Sequence, residues 1–290
     1  MKKIFLLVLI LSFALKTHAQ EESPKEQETD EIIDGLLEKN DNINDLIKSI
    51  SKFQFLYLSM NLNNKTYFSG RDIGINQYNL TPKISYLHSS GIYASFSGIY
   101  YSSFNPKWDL TTATLGFGKN FGKQKTFKYN TSYSRYFYNN SLNNAYSNVL
   151  SAGLSLRNKK KNISTQLSVS YLFGNENGLQ IASTNYALLN IIKTKNTKLD
   201  FKPQLSIVAG NQTIESARTY FNNGMPITVY TTHSTFDLIN TQINIPLEFN
   251  YKSFDFELGY NINFPNALKG ETKLKSTNYF NFAMAYLINL

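Results

Sequence analysis

The stretch INIPLEFNYKSFDFELGYNINFP, residues 243–265, decides the fold of this chain. On each side of a Tyr251-Lys252 turn, apolar residues recur at every second position and polar residues fill most places between them. Successive side chains of a β-strand point to opposite faces. The stretch therefore predicts an antiparallel hairpin with one apolar and one polar face.

The same period of two extends through residues 51–290. At the C-terminus the alternating apolar residues are Phe280, Phe282, Met284, Tyr286, Ile288 and Leu290. The segments are longer than the ~5–6 residues usual in globular strands, and they match the ~9–11 residues that a tilted transmembrane strand needs. We predict twelve strands, near residues 52–62, 79–88, 91–102, 108–119, 125–138, 145–157, 162–173, 179–193, 197–210, 237–250, 253–263 and 278–290.

The connections between these segments alternate in length. Short turns follow the even strands, whereas the connections after odd strands include three long ones, at 63–78, 211–236 and 264–277. Bacterial barrels with both termini in the periplasm have short periplasmic turns and longer outer loops. The prediction is an all-β protein: a transmembrane antiparallel up-and-down β-barrel of about twelve strands, or ten if one pair belongs to a loop.

Residues 1–19 have the form of a secretory signal peptide. Two lysines precede a mostly apolar core from Ile4 to Leu15, and small residues then lead to Ala19-Gln20. The core is too short for a membrane-spanning helix, which needs ~20 apolar residues. We expect export, cleavage between Ala19 and Gln20, and insertion into the outer membrane.

The segment 20–50 differs from the rest of the chain in charge. It carries ten acidic and three basic residues, whereas residues 51–290 carry ten acidic and 23 basic ones. Apolar residues at helical spacing within 30–50 predict a short helix, with Asp30 as a candidate N-cap. The predicted organisation is a signal peptide (1–19), an acidic periplasmic segment with a short helix (20–50) and a barrel (51–290).

The last strand resembles the C-terminal assembly signal of outer-membrane proteins, with Tyr286 at the fifth place from the end. It departs from that signal at Leu290, where Phe is usual. Residues 243–265 resemble a late hairpin of Bacteroidetes-type outer-membrane β-barrel proteins, and TYFSGRD (66–72) and YSRYFYN (133–139) do so more loosely. The resemblance implies an outer-membrane location, contact with outer-membrane lipids, and recognition of the C-terminal strand by barrel-assembly machinery. It implies no reaction.

A group of charged residues falls on the polar face of the predicted strands. Pairing the hairpin about Tyr251-Lys252 sets Glu248 opposite Asp255, and like charges across a strand pair need a neutralising partner. The group is either a filter for solutes or protons, or an ion network that fills a narrow lumen. Both remain open because ~8 strands enclose a filled interior and ~16 an open channel. The predicted lumen charge cluster is Asp200, Lys202, Glu248, Asp255 and Glu257, with Lys202 as its candidate cation.

The predicted periplasmic turns are basic, and the acidic segment emerges on the same side. This segment either docks against the turns or plugs the lumen, or it remains a solvated tether. Exposed ion pairs contribute only ~0–1 kcal/mol each, so docking would need several charges together with the apolar stripe of the helix. The basic residues are Lys123, Lys125, Lys159, Lys160, Lys161, Lys193, Lys195 and Lys252.

Arg135 lies among aromatic residues where a strand should leave the outer leaflet. Aromatic residues form the interfacial girdle of such barrels. A guanidinium group suits phosphate geometry, which makes Arg135 a candidate contact for lipopolysaccharide. Alternatively, it extends to the interface without a partner.

The residue types leave little for catalysis. The chain has no cysteine, and beyond residue 19 its histidines are His88 and His233, which gives no metal-ligand spacing. Twelve-stranded outer-membrane phospholipases use a Ser–His–Asn arrangement on the barrel wall. His88 with Ser89 or Ser90 lies instead at a predicted periplasmic turn, without a positioned acid. We therefore predict no enzyme activity, no metal and no cofactor. No nucleic-acid motif accompanies the basic charge, so no nucleic-acid partner is expected.

The leading functional prediction is porin-like passage of small solutes, or an envelope-structural role. The net positive charge of the barrel sequence indicates that these solutes are anions. The alternatives are a binding or assembly module, acting through the outer loops or the acidic segment, and a lipid-modifying enzyme. A continuous polar lumen would favour the pore, and a plugged lumen with an ordered outer surface would favour the binding module. A histidine hydrogen-bonded to a serine at the lipid boundary would favour the enzyme.

Overall fold

The computed structural model describes residues 54–72, 74–121, 126–139, 145–194, 196–222, 225–267 and 273–290, and over 212–234 it describes the backbone alone. The predicted signal peptide, the acidic segment and its helix lie outside the described residues. No described helix is long and apolar enough to cross a membrane.

Twelve long strands form the described part of the chain, which confirms the predicted number. β8 is interrupted at Leu188, and β9 is interrupted at Lys202-Pro203. The strands are β1 (Gln54–Asn63), β2 (Asn79–His88), β3 (Ile92–Tyr101), β4 (Trp108–Phe121), β5 (Phe127–Tyr138), β6 (Tyr146–Arg157), β7 (Ile163–Gly174), β8 (Asn177–Ala187 and Leu189–Lys193), β9 (Thr197–Phe201 and Gln204–Asn222), β10 (Met225–Tyr251), β11 (Phe254–Pro265) and β12 (Thr277–Asn289).

These strands close into an antiparallel barrel. Each strand pairs with its neighbours in sequence, and β1 pairs with β12 in the register Leu58↔Tyr286. The short connections and both ends of the barrel sequence lie at one end, here called the turn end. The described residues of the connections 64–78, 102–107, 139–145, 175–176 and 266–276 lie at the other, the loop end.

The outer face of the barrel is apolar. Large apolar side chains point outward from the strands, as shown by Phe96 (62% exposed) and Leu115 (60% exposed). Along β12, exposed Phe280, Phe282, Met284 and Tyr286 alternate with buried residues, as the period of two predicted. A closed barrel with such an exterior is the architecture of a transmembrane β-barrel, because lipid replaces water around it.

Two predictions about the late strands were wrong. Residues 211–236 were expected to form an outer loop, but β9 and β10 continue through them and pair from Asn211↔Phe236 to Asn222↔Met225. The β10–β11 hairpin turns at Lys252-Ser253 rather than at Tyr251-Lys252, with Lys252 at φ 55°. The register therefore shifts by two residues, which leaves each side chain on its predicted face.

Candidate functional site: the barrel lumen

The inner wall of the barrel is rich in small polar side chains. Adjacent strands place hydroxyl and amide groups toward the lumen at successive levels, and many are buried. One side of the wall, from β7 round to β12, is polar along most of its height. Its inward residues include Ser164, Gln166, Ser168 and Ser170 on β7, Asn240, Gln242, Asn244, Glu248 and Asn250 on β10, and Asp255, Glu257, Asn261 and Asn263 on β11.

Apolar side chains occupy three parts of the lumen. The smallest group, on β8 to β10, contains Ala182, Val208 and Ile239. A cluster at the loop end of β3 to β7 contains Ile99, Tyr101, Leu110, Tyr136, Val149 and Leu172. A second cluster at the turn end of β12 to β2 contains Tyr57, Leu87, Ala285 and Leu287. The polar lining therefore runs from one end of the barrel to the other only along β11 and the adjacent part of β10, Asn240 to Asn250.

The first connection at the loop end folds into the lumen. Residues 67–72 form a short two-stranded hairpin, called here the loop-1 hairpin, with Tyr67 opposite Asp72 and Phe68 opposite Arg71. Its turn residues Ser69 and Gly70 both have positive φ, 52° and 76°. Two such residues in succession are typical of a tight type I′ turn.

One side of the loop-1 hairpin is fixed to the polar wall. The Thr277 hydroxyl donates to the Gly70 carbonyl at 2.7 Å, and the Arg71 guanidinium donates to the Asn266 carbonyl at 3.1 Å. Gly70 lies so close to Asn240 that an added Cβ would be 2.6 Å from the Asn240 Oδ1 atom. Hydrogen bonds and close packing thus hold the hairpin against β10 and β12.

The other side of the hairpin packs on the apolar cluster. The Phe68 ring lies 6.1 Å from the Tyr101 ring and 6.3 Å from the Phe104 ring. Because Tyr101 lies on β3, whereas Asn240 and Thr277 lie on β10 and β12, the hairpin contacts both sides of the lumen near the loop end. The sequence TYFSGRD marked a tight turn here, but nothing in it indicated that the turn faces inward.

An amide network supports the wall beneath the hairpin. The Asn63 amide donates to Asn79 Oδ1 at 2.9 Å, and the Asn79 amide donates to Thr66 Oγ1 at 2.9 Å. A few strands further along the wall, the amides of Asn240 and Gln242 donate to Asn263 Oδ1 at 3.1 and 3.0 Å. These bonds link adjacent strands and fix the positions of the polar side chains.

The five residues of the predicted charge cluster all lie in the lumen near the turn end. Asp200 lies opposite Glu248, and Glu248 lies opposite Glu257 rather than Asp255. Asp255 is opposite Asn250, whose amide donates to it at 2.5 Å. The like charges face each other as predicted, but the register shift changes which pair does so.

The cations of this cluster are arranged differently from the prediction. The Lys202 ammonium lies 3.2 Å from Glu248 and 4.7 Å from the centre of the Tyr186 ring. Asp200 is instead paired with Lys198, at 2.5 Å. Lys198 was not among the predicted residues, although it shares the inward face of β9 with Asp200 two residues away.

Amide groups complete the neutralisation of the acids. The Asn190 amide donates to Asp200 at 2.6 Å, and the Asn281 amide donates to Glu257 at 2.6 Å. Every carboxylate of the cluster therefore has a cation or an amide donor. This geometry fits the ion-network interpretation, since each charge is held by neighbours on its own wall.

Three further basic residues face the lumen from other strands and were also missed. Lys83 on β2 is 7% exposed and Lys128 on β5 is 9% exposed, and Arg157 is at the turn end of β6. Their inward position follows from the period of two, which was available in the sequence. The predicted cluster was drawn from the β10–β11 hairpin and the strand before it, and these strands lie outside it.

The basic turns are described in part. Lys159, Lys160, Lys193 and Lys252 are exposed at the turn end, and Lys161 lies beside them with φ 55°. Lys123, Lys125 and Lys195 lie outside the described residues. The described part of the turn end thus places several cations on the side where the acidic segment joins β1.

Arg135 is on the outer face of β5, three residues from its loop end. Its guanidinium donates to Asn148 Oδ1 at 2.8 Å, and Tyr133 donates to the same oxygen at 2.7 Å. The guanidinium carbon also lies 6.0 Å from the centre of the Phe137 ring. Arg135 is therefore held at the outer surface by protein contacts, close to aromatic side chains.

His88 forms a local contact with a serine. Its Nδ1 atom lies 2.8 Å from Ser90 Oγ, and the Ser90 backbone N–H donates to the same nitrogen at 3.1 Å. In the described part of the chain, no carboxylate or amide side chain hydrogen-bonds to this ring to orient it. Since a catalytic serine–histidine pair needs such an orienting group, the contact matches a turn-stabilising interaction better than a catalytic one. His233 is in the region where side chains are not described.

No protein-family model matches the sequence, and no curated protein matches it either. Among solved structures, "NanC porin structure in rhombohedral crystal form" aligns at TM-score 0.47 and 9% identity over 79% of this chain and 98% of that chain. "KdgM porin" aligns at TM-score 0.45 and 8% identity over 80% and 98%. "LpxR from Salmonella typhimurium" aligns at TM-score 0.41 and 11% identity over 79% and 99%. At this level of similarity no function transfers to the chain, and the fold assignment rests on the strand pairing itself.

Proposed function

We propose that the protein is an outer-membrane channel that passes small polar solutes through a lumen narrowed by the loop-1 hairpin. The observation that carries this proposal is the run of polar side chains along β10 and β11, from Asn240 and Asn263 near the loop end to Asn250 and Asp255 at the turn end. A barrel that served only as an anchor could fill its interior with apolar residues. A polar path from one mouth to the other matches the interior of water-filled barrels.

Unpaired polar atoms on the inner faces of β1, β2 and β10 also support a hydrated lumen. Ser59 Oγ, Ser85 Oγ and Asn244 Oδ1 are buried without a hydrogen-bond partner in the protein. Buried polar groups usually bind protein or ordered water, because leaving them unpaired costs free energy. Water in the lumen supplies the partners that the protein does not.

The loop-1 hairpin would set the size limit of the channel. It contacts both sides of the lumen, through Phe68 on the apolar cluster and through Gly70 against Asn240. A twelve-stranded barrel is intermediate between the filled interior of ~8 strands and the open channel of ~16. A fixed hairpin in such a lumen narrows the path without replacing its polar side.

Swelling of proteoliposomes in sugars of graded size tests the proposal. The full chain should admit a pentose faster than a disaccharide, because the hairpin restricts the path. Replacing residues 66–73 with a short Gly-Ser link should speed disaccharide entry more than pentose entry. If folded protein admits neither sugar, with or without the hairpin, the channel proposal is wrong.

The acidic segment 20–50 is proposed to regulate this channel from the turn end. β1 begins at Gln54 on that side, where Lys159, Lys160, Lys193 and Lys252 are exposed. Their opposite charge favours docking of the segment across the periplasmic mouth. Deleting residues 20–50 should therefore raise solute entry, and high salt should raise it in the full chain by screening the charges. A deletion without effect would leave the segment as a tether.

We also propose two contacts of the barrel's outer surface with the envelope. The outward apolar residues of β12 form the signal expected to engage barrel-assembly machinery, so Tyr286→Ala should lower the amount of folded protein in the outer membrane. Arg135 lies near the loop end beside Phe137, where a lipopolysaccharide phosphate could accept from its guanidinium. Arg135→Gln should reduce co-purified lipopolysaccharide while preserving the folded barrel.

A binding module is the second candidate, and the extension of β9 and β10 favours it. β9 pairs with β8 as far as Gly210, and β10 pairs with β11 from Asn240 onward. The residues between these two points pair with each other and not with β8 or β11. The remaining ribbon is long enough to extend about 40 Å at ~3.4 Å per residue. Exposed strand edges can add a strand from a partner. If the protein functions as a binding module, replacing residues 213–234 with a short turn should abolish attachment of a partner. If it functions as a channel, the same replacement should leave solute entry unchanged.

A further inference from the structure

Lys83 differs from the cations of the predicted charge cluster. It lies on the lumen face of β2, opposite Ser59 on β1 and Ser97 on β3, and it is 7% exposed. Lys202 has Glu248 at 3.2 Å, and Lys198 has Asp200 at 2.5 Å. No ion pair and no hydrogen bond involves the Lys83 ammonium in the described part of the chain.

The groups around Lys83 are hydroxyls. Ser59 faces it directly, and Ser85 follows two residues later on the same face of β2. The Oγ atoms of both serines are buried and have no partner in the protein. Ser95, opposite Ser85 on β3, is also buried. Each hydroxyl can donate one hydrogen bond, so the patch around the ammonium contains several donors and no negative charge.

The acids of the lumen do not neutralise this patch. Asp200 lies on β9, Glu248 on β10, and Asp255 and Glu257 on β11. Their partners are Lys198, Lys202, Asn190, Asn250 and Asn281. β11 is three strands from β2 around the barrel, about 14 Å at ~4.8 Å per strand. An uncompensated buried cation is unfavourable unless water or an anion solvates it.

We propose that Lys83, with the hydroxyls of Ser59 and Ser85, forms an anion-binding subsite on the lumen wall for the carboxylate of a passing solute. The subsite rests on the proposed channel function and specifies its substrate class as small monovalent organic anions. The ammonium supplies the charge, and the serine hydroxyls can turn toward the carboxylate oxygens. A single cation with neutral donors binds a monoanion loosely, as passage requires, since a solute must also leave.

The reversal potential of the reconstituted full chain in a potassium chloride gradient, and then in a potassium acetate gradient, tests the subsite. The wild-type channel should prefer the anion in both salts. Lys83→Gln should reduce the anion-to-cation permeability ratio about fivefold, the effect of one charge at contact distance in water. Lys83→Glu should favour the cation. A reduction of equal size in chloride and in acetate would show a general charge effect and would overturn the carboxylate assignment, which requires the larger reduction in acetate.

Matched controls separate the lumen charge from the total charge. Lys107→Gln and Lys275→Gln each remove one exposed lysine outside the barrel strands, and neither should change the ratio. Heat-modifiable migration shows that each variant is folded, and Lys83→Gln decides the result if Lys83→Glu does not fold. Conduction with unchanged selectivity in Lys83→Gln would overturn the subsite alone. Silence of the wild type and all variants would overturn the proposed channel and the subsite with it.

Discussion

Gly70 is the residue on which the position of the loop-1 hairpin depends most. It has φ 76°, and a side chain there would collide with Asn240. A non-glycine residue in this left-handed conformation costs roughly 1–2 kcal/mol, and the collision adds to that cost. Gly70→Ala should therefore displace the hairpin and increase single-channel conductance while lowering the unfolding temperature.

Gly74 provides the control for this substitution. Its φ is 71°, but a Cβ would meet nothing within 4 Å. Gly74→Ala carries the same backbone penalty without the collision, so it should leave conductance unchanged. Equal conductance in Gly70→Ala and the wild type would contradict the constricting role of the hairpin.

Lys202 is predicted to stabilise the folded barrel through Glu248. Lys202→Met leaves a largely buried carboxylate without its cation, which costs about 1–3 kcal/mol for an unpaired buried polar group. The double variant Lys202→Met with Glu248→Gln should recover most of that loss. Urea unfolding monitored by tryptophan fluorescence measures the stability of the single and the double variant, with Lys159→Met as an exposed control. A double variant as unstable as the single one would show that the pair is not coupled.

His88 and Ser90 are predicted to support a turn rather than a reaction. The ring nitrogen accepts from the Ser90 backbone N–H, as a turn-stabilising side chain does. Purified protein should hydrolyse no acyl ester, and His88→Ala should behave like the wild type in that assay. A hydrolysis rate that disappears in both His88→Ala and Ser90→Ala would revive the enzyme.

The β10–β11 hairpin shows how far alternation predicts contacts. The period of two placed Glu248, Asp255 and Glu257 on the inner face, and the structure confirms that face. It could not fix the register, because Lys252 takes a positive φ that favours glycine or asparagine. A shift of two residues preserves the face and changes the partner.

The ribbon formed by the ends of β9 and β10 was missed for a related reason. Alternation of apolar and polar residues indicates that one face of a strand contacts an apolar environment and the other face contacts water. Residues 211–236 lack that contrast, being rich in threonine and other polar residues. Backbone pairing continues without it, so the sequence indicated a loop where the strands extend.

Strand β7 allows the two faces of the barrel to be tested separately. Leu167 is 44% exposed on the outer face, and the next residue, Ser168, faces the lumen. A lysine on the lipid face near the bilayer centre costs about 2–4 kcal/mol, whereas the lumen tolerates charge. Leu167→Lys should reduce the stability of the barrel in lipid vesicles far more than Ser168→Lys does. Similar losses would indicate that the outer face is not in lipid.

At the level of the whole molecule, the barrel was predictable and its interior was only partly so. Strand number and facing direction follow from local periodicity, which each segment carries by itself. The inward position of the loop-1 hairpin depends on contacts between distant residues, such as Thr277 with Gly70 and Phe68 with Tyr101. Likewise, Lys83 has no carboxylate partner among the described residues because the acids of the lumen are paired with other side chains.

We propose that the lumen conducts small solutes and that the loop-1 hairpin limits its conductance. Single-channel recording of the purified protein in planar bilayers tests this most directly, with the variant in which residues 66–73 are replaced by a Gly-Ser link. We predict a small, steady conductance for the full chain and a larger one for the variant. Silence of both proteins, with heat-modifiable migration showing that both are folded, would contradict the account.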